Sequence, residues 1–168
     1  MSTHQGNSWV TFDCFGTLVD WNSGFSELLR PIAGKQSARL LAAYHQFERQ
    51  IEAQRPHRHY RDVLASALAL AAQKVHVALP SSQALALPRA WTSLPVFGDV
   101  EPALAALRSA GYKLGVLTNC DDDLFEQTQR CFQRCFNVVV TAEQVQDYKP
   151  SLSHFLFFAK ETSVVSRK

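Results

Sequence analysis

Apolar and polar positions divide the chain into three stretches with different periodicities. Residues 9–12 form a short apolar run, rich in β-branched and aromatic side chains, that is typical of a buried strand. Residues 21–92 follow a helical pattern with apolar positions three and four residues apart, and no strand pattern interrupts it. After Pro95, apolar strand-like runs alternate with helical patterns, which indicates parallel strands joined by right-handed crossovers.

These patterns predict an order of elements. The helical stretch predicts helices over residues 22–34, 37–54, 60–77 and, more weakly, 81–91. The last stretch predicts a helix capped by Asp99 that ends before Gly111, a helix over 121–132, and a final helix capped by Ser151 that runs to about residue 160. It also predicts strands over 112–117 and 137–141. We therefore predict an α/β fold. Its Rossmann-like parallel sheet core would consist of residues 1–20 and 93–168, and residues 21–92 would form a helical cap inserted after the first strand.

The composition is that of an ordinary globular protein. The chain has 168 residues, of which 46% are apolar and 19% charged, and its formal net charge of +2 is too small to indicate nucleic acid or an anionic membrane as a partner. The polar segment 1–8 lacks an apolar signal core, and no apolar run approaches membrane-spanning length. We expect a cytoplasmic protein with no structural zinc. Its cysteines are expected to be reduced: Cys14, Cys120, Cys131 and Cys135.

Polar residues follow each of the three predicted strands. Asp13 follows the first strand, Thr118 and Asn119 follow the second, and Lys149 lies farther along the loop after the third. Because the carboxyl ends of parallel strands share one edge of a sheet, these side chains could meet there. A carboxylate in that position can attack an electrophilic carbon or phosphorus. Each residue also has a purely structural interpretation, as a turn residue or, for Lys149, as a surface lysine.

The segments around these residues resemble a known family. The sequence FDCFGTL at 12–18 is similar to the first motif of the haloacid dehalogenase superfamily, LTN at 117–119 to the second and DYKP at 147–150 to the third. The helical stretch after the first strand resembles the helical cap of that family. The resemblance implies that Asp13 is the nucleophile and that Lys149 balances the charge around it. It also implies that Thr118 and Asn119 supply a hydroxyl and an amide beside the nucleophile.

Position 15 distinguishes two branches of this superfamily. Its phosphatases carry a second aspartate two residues after the nucleophile, which protonates the leaving alkoxide and then activates water. Phe15 can do neither, and an aromatic residue there resembles the type II 2-haloacid dehalogenases, whose halide leaving group needs no general acid. The resemblance implies a hydrolase without a metal cofactor that forms an ester between Asp13 and a short anionic 2-haloacid. A magnesium-dependent phosphatase of small phosphate esters is the alternative.

The resemblance also implies a set of substrate-binding residues: Phe15, Thr17, His45 and Arg49. Thr17 would donate a hydrogen bond, and Phe15 would exclude solvent together with the cap aromatics Tyr44 and Phe47. The dehalogenases engage the substrate with an arginine on the first cap helix. His45 occupies the best-matching position here, with Arg49 one turn later, and a histidine holds an anion less firmly than a bidentate arginine.

The end of the sequence bears on the activity that we expect. The fourth motif of the family, and the strand before it, have no counterpart in the 168 residues, so we expect a chain truncated before that motif and lacking the C-terminal strands of the core. Since that motif positions water, ester hydrolysis should be slow, and the protein should be inactive or limited to a single turnover. A catalytically silent binding protein is the alternative from a different class. The sequence is compatible with a homodimer.

Overall fold

A computed structural model describes residues 8–163 of the chain. In chain order, its elements are β1 (Trp9–Phe12), α1 (Trp21–Ala33), α2 (Ser37–Glu52), α3 (Tyr60–Lys74), α4 (Ala86–Arg89), α5 (Val100–Ser109), β2 (Lys113–Thr118), α6 (Asp122–Gln129), β3 (Val138–Thr141), α7 (Ala142–Val145) and α8 (Ser153–Thr162). The described residues form two compact units. The α/β unit consists of residues 8–20 and 96–163, and the helical unit consists of residues 21–95.

A parallel sheet lies at the centre of the α/β unit. Among the described residues it contains three strands in the order β1-β2-β3, with both neighbouring pairs parallel. Phe12 is paired with Val116, and Thr118 is paired with Thr141, so the strands end at the same edge. The central strand β2 is buried from Leu114 onward, as expected for a strand that is covered on both faces. The predicted α/β class with a parallel sheet is therefore confirmed.

Helix α8 packs closely against β2 on one face of the sheet. A Cβ atom on Gly115 would lie 2.7 Å from the ring of Phe158, so only glycine allows the helix to pack at this depth. Phe158 is buried there with Leu117 and Val140, and Trp9 of β1 contacts its ring edge-on at 5.3 Å between centroids. This packing fixes α8 against β2 and β3.

The helical unit is built around α1, α2 and α3, whose apolar faces meet in one core. Its fully buried side chains include Phe25, Leu29, Leu40, Leu64 and Leu68. Helices α1 and α2 occur close to their predicted positions, and α3 begins at the predicted Tyr60. It ends at Lys74, three residues before the predicted end, because His76 adopts a left-handed conformation with φ of 58°.

The single helix predicted over residues 81–91 is wrong. The structure has a 3₁₀ turn at Ser81–Gln83, the single turn α4 at Ala86–Arg89, and another 3₁₀ turn at Trp91–Ser93. Pro88 lacks an amide hydrogen, which limits the hydrogen-bond ladder in this segment. Buried Leu87 and Trp91 produced the apolar spacing that suggested a helix.

None of the helices within residues 8–163 combines the length and the apolar composition that a membrane span requires.

Candidate active site

A tight turn directly after β1 places Asp13 at the edge of the sheet. The carbonyl oxygen of Cys14 accepts hydrogen bonds from the amides of residues 17, 18 and 19, at 3.2, 2.7 and 3.0 Å. Gly16 adopts φ of 97°, a conformation that other residues rarely adopt, and its amide donates to the carbonyl of Val19 at 2.8 Å. The chain therefore reverses immediately after Asp13, whose side chain stays 44% exposed.

The Asp13 carboxylate is held by a cation and a hydroxyl. Lys149 Nζ donates to Asp13 Oδ1 at 2.5 Å, and Thr17 Oγ1 donates to Asp13 Oδ2 at 3.1 Å. Lys149 Nζ also donates to the carbonyl oxygen of Leu117 at 2.5 Å. Two donors on different oxygens fix the orientation of the carboxylate plane, and the second bond of Lys149 ties the ammonium to the end of β2.

Asn119 joins this group through the main chain of Lys149. Its Oδ1 accepts from the Lys149 amide at 2.7 Å, and its Nδ2 donates to the Lys149 carbonyl at 3.2 Å. The structure thus brings Asp13, Asn119 and Lys149 together at one edge of the sheet. Both polar groups of the Asn119 side chain are used in positioning Lys149, a contact that the sequence did not indicate.

The Thr118 side chain points elsewhere. It is fully buried, and its hydroxyl donates to Cys120 Sγ at 3.6 Å. Among the described residues, this hydroxyl is not one of the groups that contact Asp13. The main chain of Thr118 takes part instead, because its carbonyl oxygen lies 3.1 Å from His154 Nε2. The role predicted for the Thr118 hydroxyl toward a substrate stays a prediction.

His154 is a buried residue near this edge that sequence reasoning missed. It lies in the first turn of α8 with no exposed surface. Burial lowers the pKa of its imidazole, the charge of Lys149 lowers it further, and the hydrogen bond to Thr118 acts in the opposite direction. The spacing of four residues between His154 and the buried Phe158 was the available signal, since it places both on the inner face of α8.

Burial disfavours the nucleophilic thiolate form of the two cysteines beside the candidate nucleophile. Cys14 and Cys120 are free thiols with no exposed surface. Burial raises the pKa of both thiols, so they stay protonated at neutral pH. The exposed carboxylate of Asp13 is therefore better suited than either thiol to act as a nucleophile at this edge.

Phe15 and Thr17 lie in the same turn as Asp13. Phe15 is partly buried and is paired with Val19 across the turn, while Thr17 is exposed apart from its bond to the carboxylate. The aromatic residue therefore occupies the turn itself, two residues after Asp13, and provides no carboxyl group that could exchange protons there.

The other predicted substrate-binding residues, His45 and Arg49, lie on α2 of the helical unit. His45 Nε2 is 3.2 Å from Asn22 Oδ1, its Nδ1 is 3.6 Å from Glu48 Oε2, and Trp21 contacts its ring edge-on. Arg49 is exposed. A surface groove of about 470 Å³ lies between α1 and α2 and includes His45 in its lining. The roles of His45 and Arg49 toward a substrate stay predictions.

Tyr44 belongs to a buried polar cluster that the sequence did not reveal. Its hydroxyl donates to Glu48 Oε1 at 2.7 Å, and the hydroxyl of Tyr60 donates to the same oxygen at 2.6 Å. Burial, followed by the charge of Glu48, raises the pKa of both tyrosines. Tyr44 has no exposed surface, so in this structure it fills the core of the helical unit rather than a wall open to solvent. Phe47 is partly buried beneath the ammonium of Lys74.

A family model identifies the class of protein to which this fold and this arrangement belong. The model for haloacid dehalogenase-like hydrolases matches residues 8–165, and the chain belongs to this family of hydrolases. No curated protein sequence matches the chain.

Solved structures share the fold at low sequence identity. A dehalogenase superposes with a TM-score of 0.85 and 21% identity, over 95% of this chain and 73% of that one. An L-2-haloacid dehalogenase gives 0.86 and 21%, over 94% and 74%. The L-2-haloacid dehalogenase from Xanthobacter autotrophicus with chloropropionic acid covalently bound gives 0.80 and 20%, over 94% and 66%. The chain thus spans about two thirds to three quarters of the length of these proteins, with which it shares the fold.

Proposed function

We propose that this chain is a hydrolase of the 2-haloacid dehalogenase type, with Asp13 as the nucleophile and a short 2-haloacid as the substrate. The contact between Lys149 Nζ and Asp13 Oδ1 carries the proposal. It holds an exposed carboxylate beside a cation at the edge where parallel sheets bind their ligands. The covalently bound chloropropionic acid in one of the similar solved structures supports the choice of substrate class.

The reaction would proceed through an ester. A carboxylate oxygen of Asp13 attacks C2 of the haloacid, and the carbon–halogen bond breaks as the halide leaves with the bonding electrons. Water then adds to the carboxyl carbon of Asp13, and the bond between that carbon and the ester oxygen breaks. The products are a 2-hydroxy acid and the regenerated Asp13 carboxylate, and one proton from the water is released.

The residues around Asp13 would act on its charge and its orientation. Lys149 compensates the negative charge of the resting carboxylate, and Thr17 fixes the second carboxylate oxygen. Since both donors are held by the fold before the substrate arrives, little reorganisation is needed during the attack. The second bond of Lys149, to the carbonyl of Leu117, limits the positions that the ammonium can adopt.

Phe15 supports attack on carbon over attack on phosphorus. Departure of an alkoxide from a phosphate ester requires a proton, and a side chain two residues after Asp13 is well placed to supply it. Phe15 has no proton to give, whereas a halide leaves without one. The proposed reaction therefore does not require a proton donor at position 15.

The experiment that tests this proposal is incubation of the purified chain with 2-chloropropionate, followed by acid quenching, peptide mass mapping and measurement of free chloride. An adduct on the peptide that contains Asp13, or chloride release over many turnovers, supports the proposal. The Asp13→Asn variant should show neither. The matched Asp99→Asn variant, which changes an exposed acid at the start of α5, should behave as the unchanged protein.

Two further arms separate the alternatives. A folded protein that forms no adduct and releases no chloride contradicts the proposal. If the same protein hydrolyses p-nitrophenyl phosphate only when magnesium is added, the phosphatase alternative replaces it. If neither reaction occurs, the binding-protein alternative replaces it.

A further inference from the structure

We infer that His154 is a positioning residue for the pair formed by Asp13 and Lys149. Among the described residues, its hydrogen-bond partner is the Thr118 carbonyl and not the Asp13 carboxylate, so any effect on the reaction would be indirect. It would act by holding the end of β2 against the segment that carries Lys149. The role is stated for the reaction proposed above and rests on it, although the contact itself can be tested without a substrate.

Three consecutive residues at the end of β2 are each bound to the segment from Lys149 to His154. The carbonyl of Leu117 accepts from Lys149 Nζ at 2.5 Å, and the carbonyl of Thr118 lies 3.1 Å from His154 Nε2. The side chain of Asn119 forms two bonds with the main chain of Lys149. The His154 contact lies between the other two, so its loss would remove the bond that ties the Thr118 carbonyl to α8.

The chemistry of this contact fixes the form of the imidazole. A carbonyl oxygen can only accept a hydrogen bond, so Nε2 must carry the hydrogen. His154 Nδ1 is buried and has no hydrogen-bond partner within the described part of the chain. In a neutral ring with its hydrogen on Nε2, the unpaired Nδ1 is only an acceptor. In a charged ring, Nδ1 would also carry a hydrogen, and a second donor would be buried without a partner. The site therefore favours a neutral imidazole that donates once.

Burial of the unpaired Nδ1 of His154 is unfavourable, so packing alone does not account for a histidine at this position. An apolar side chain at position 154 would fill the space beside Phe158 without an unpaired nitrogen, but it would leave the carbonyl of Thr118 without its donor. The histidine satisfies that carbonyl at a place where a shift of the strand end would move Lys149 relative to Asp13. A displacement of a catalytic group by about 1 Å can lower a reaction rate by about 10²-fold.

The first test uses a pair of variants of similar length, His154→Gln and His154→Met. Glutamine can donate to the Thr118 carbonyl and methionine cannot. The readout is the rate at which acetic anhydride modifies Lys149, measured by peptide mass mapping relative to the exposed Lys160 of the same chain. We expect His154→Met to raise this ratio about fivefold and His154→Gln to leave it within about twofold of the unchanged protein. Equal ratios in the two variants, whether raised or unchanged, would overturn the inference.

A second comparison applies if the methionine variant does not fold. His154→Asn keeps an amide donor but is one carbon shorter than His154→Gln, so it falls short of the Thr118 carbonyl. Lys149 should then be modified faster in His154→Asn than in His154→Gln, and equal rates would refute the role. Since neither comparison uses a substrate, they remain decisive even if 2-chloropropionate fails to react with Asp13. Where it does react, the order of the alkylation rates should be His154→Gln above His154→Met, and the reverse order would contradict positioning.

Discussion

Asn119 holds the main chain of Lys149 by both of its polar groups, accepting from the amide at 2.7 Å and donating to the carbonyl at 3.2 Å. These two residues are 30 positions apart, and their contact connects the second strand end to the loop that supplies the cation. An asparagine side chain suits this role because it presents a donor and an acceptor in one plane. The position of Lys149 Nζ beside Asp13 thus depends on a side chain whose hydrogen bonds, within the described part of the chain, go to the Lys149 main chain and not to Asp13.

We predict that Asn119→Ala reduces the rate of Asp13 alkylation by about 10²-fold, because Lys149 loses the contacts that hold its main chain. The half-saturating concentration of 2-chloropropionate should change much less. The matched control is Asn137→Ala, which also removes an asparagine that bonds to a main-chain amide, that of Leu114 at 2.8 Å. This control should lower stability and leave the alkylation rate unchanged. Equal rate losses in both variants would contradict the positioning role of Asn119.

We predict that His154 makes the folded protein less stable in mild acid. Its folded-state pKa lies below the ordinary value of 6.5, because burial and the charge of Lys149 outweigh the opposing effects of the Thr118 carbonyl and Asp147. Between the folded and unfolded pKa values, the unfolded chain binds the proton and the folded chain does not. The contribution of neutral His154 to the free energy of unfolding is therefore fully present above about pH 6.5, and it is lost as the pH falls below that value.

Urea unfolding of the unchanged protein and of His154→Gln from about pH 5 to pH 8 measures this effect. The difference in the free energy of unfolding should move in favour of the glutamine variant as the pH falls. A difference that stays constant across this range would show that His154 does not titrate differently on folding.

The buried carboxylate of Glu48 provides a prediction for the helical unit. Tyr60→Phe removes one of the two hydroxyl donors on Glu48 Oε1 and should lower the free energy of unfolding by about 1.5–3 kcal/mol, the range for hydrogen bonds to charged groups. Tyr112→Phe makes the same change at a side chain that is 40% exposed and should have almost no effect. Equal effects of the two substitutions in urea unfolding would rule out the cluster as a source of stability.

The packing of α8 on the sheet can be tested at Gly115. Gly115→Ala places a methyl group 2.7 Å from the Phe158 ring and should destabilise the protein by about 1–3 kcal/mol. Phe158→Leu removes the ring atoms that the methyl group would meet, so the double variant should lose less stability than the sum of the single variants. Strict additivity in a double-mutant cycle would show that the two residues do not share this contact.

Much of the fold follows from local patterns in the sequence. The apolar run at 9–12, the strand that ends at Thr118 and the run at Val138–Thr141 were each predicted within a residue or two of their observed bounds. Alternation of these runs with helices predicted the parallel sheet, since short crossovers allow few topologies. The helix predicted at 81–91 failed because apolar spacing alone cannot distinguish one helix from several short turns around a buried leucine and tryptophan.

The candidate site was predictable in outline and not in its contacts. The resemblance of three motifs led us to expect Asp13 and Lys149 side by side, although 136 positions separate them in sequence. Three features were not predicted from the sequence. They are the hydrogen bonds of Asn119 to the Lys149 main chain, the buried hydroxyl of Thr118 and the buried side chain of His154. Such contacts depend on the exact positions of loops that meet only in the folded chain, and a sequence pattern with a period of two or 3.6 residues carries no information about them.

The most direct test of the central claim is a single-turnover reaction with 2-chloropropionate in water enriched in oxygen-18, with the protein in excess. If Asp13 forms an ester that water cleaves at the carboxyl carbon, the heavy oxygen enters the Asp13 peptide, and the product hydroxyl carries the oxygen that Asp13 originally held. Label found in the 2-hydroxy acid after the first turnover, with none in Asp13, would show direct attack by water. That result would contradict a nucleophilic role for Asp13.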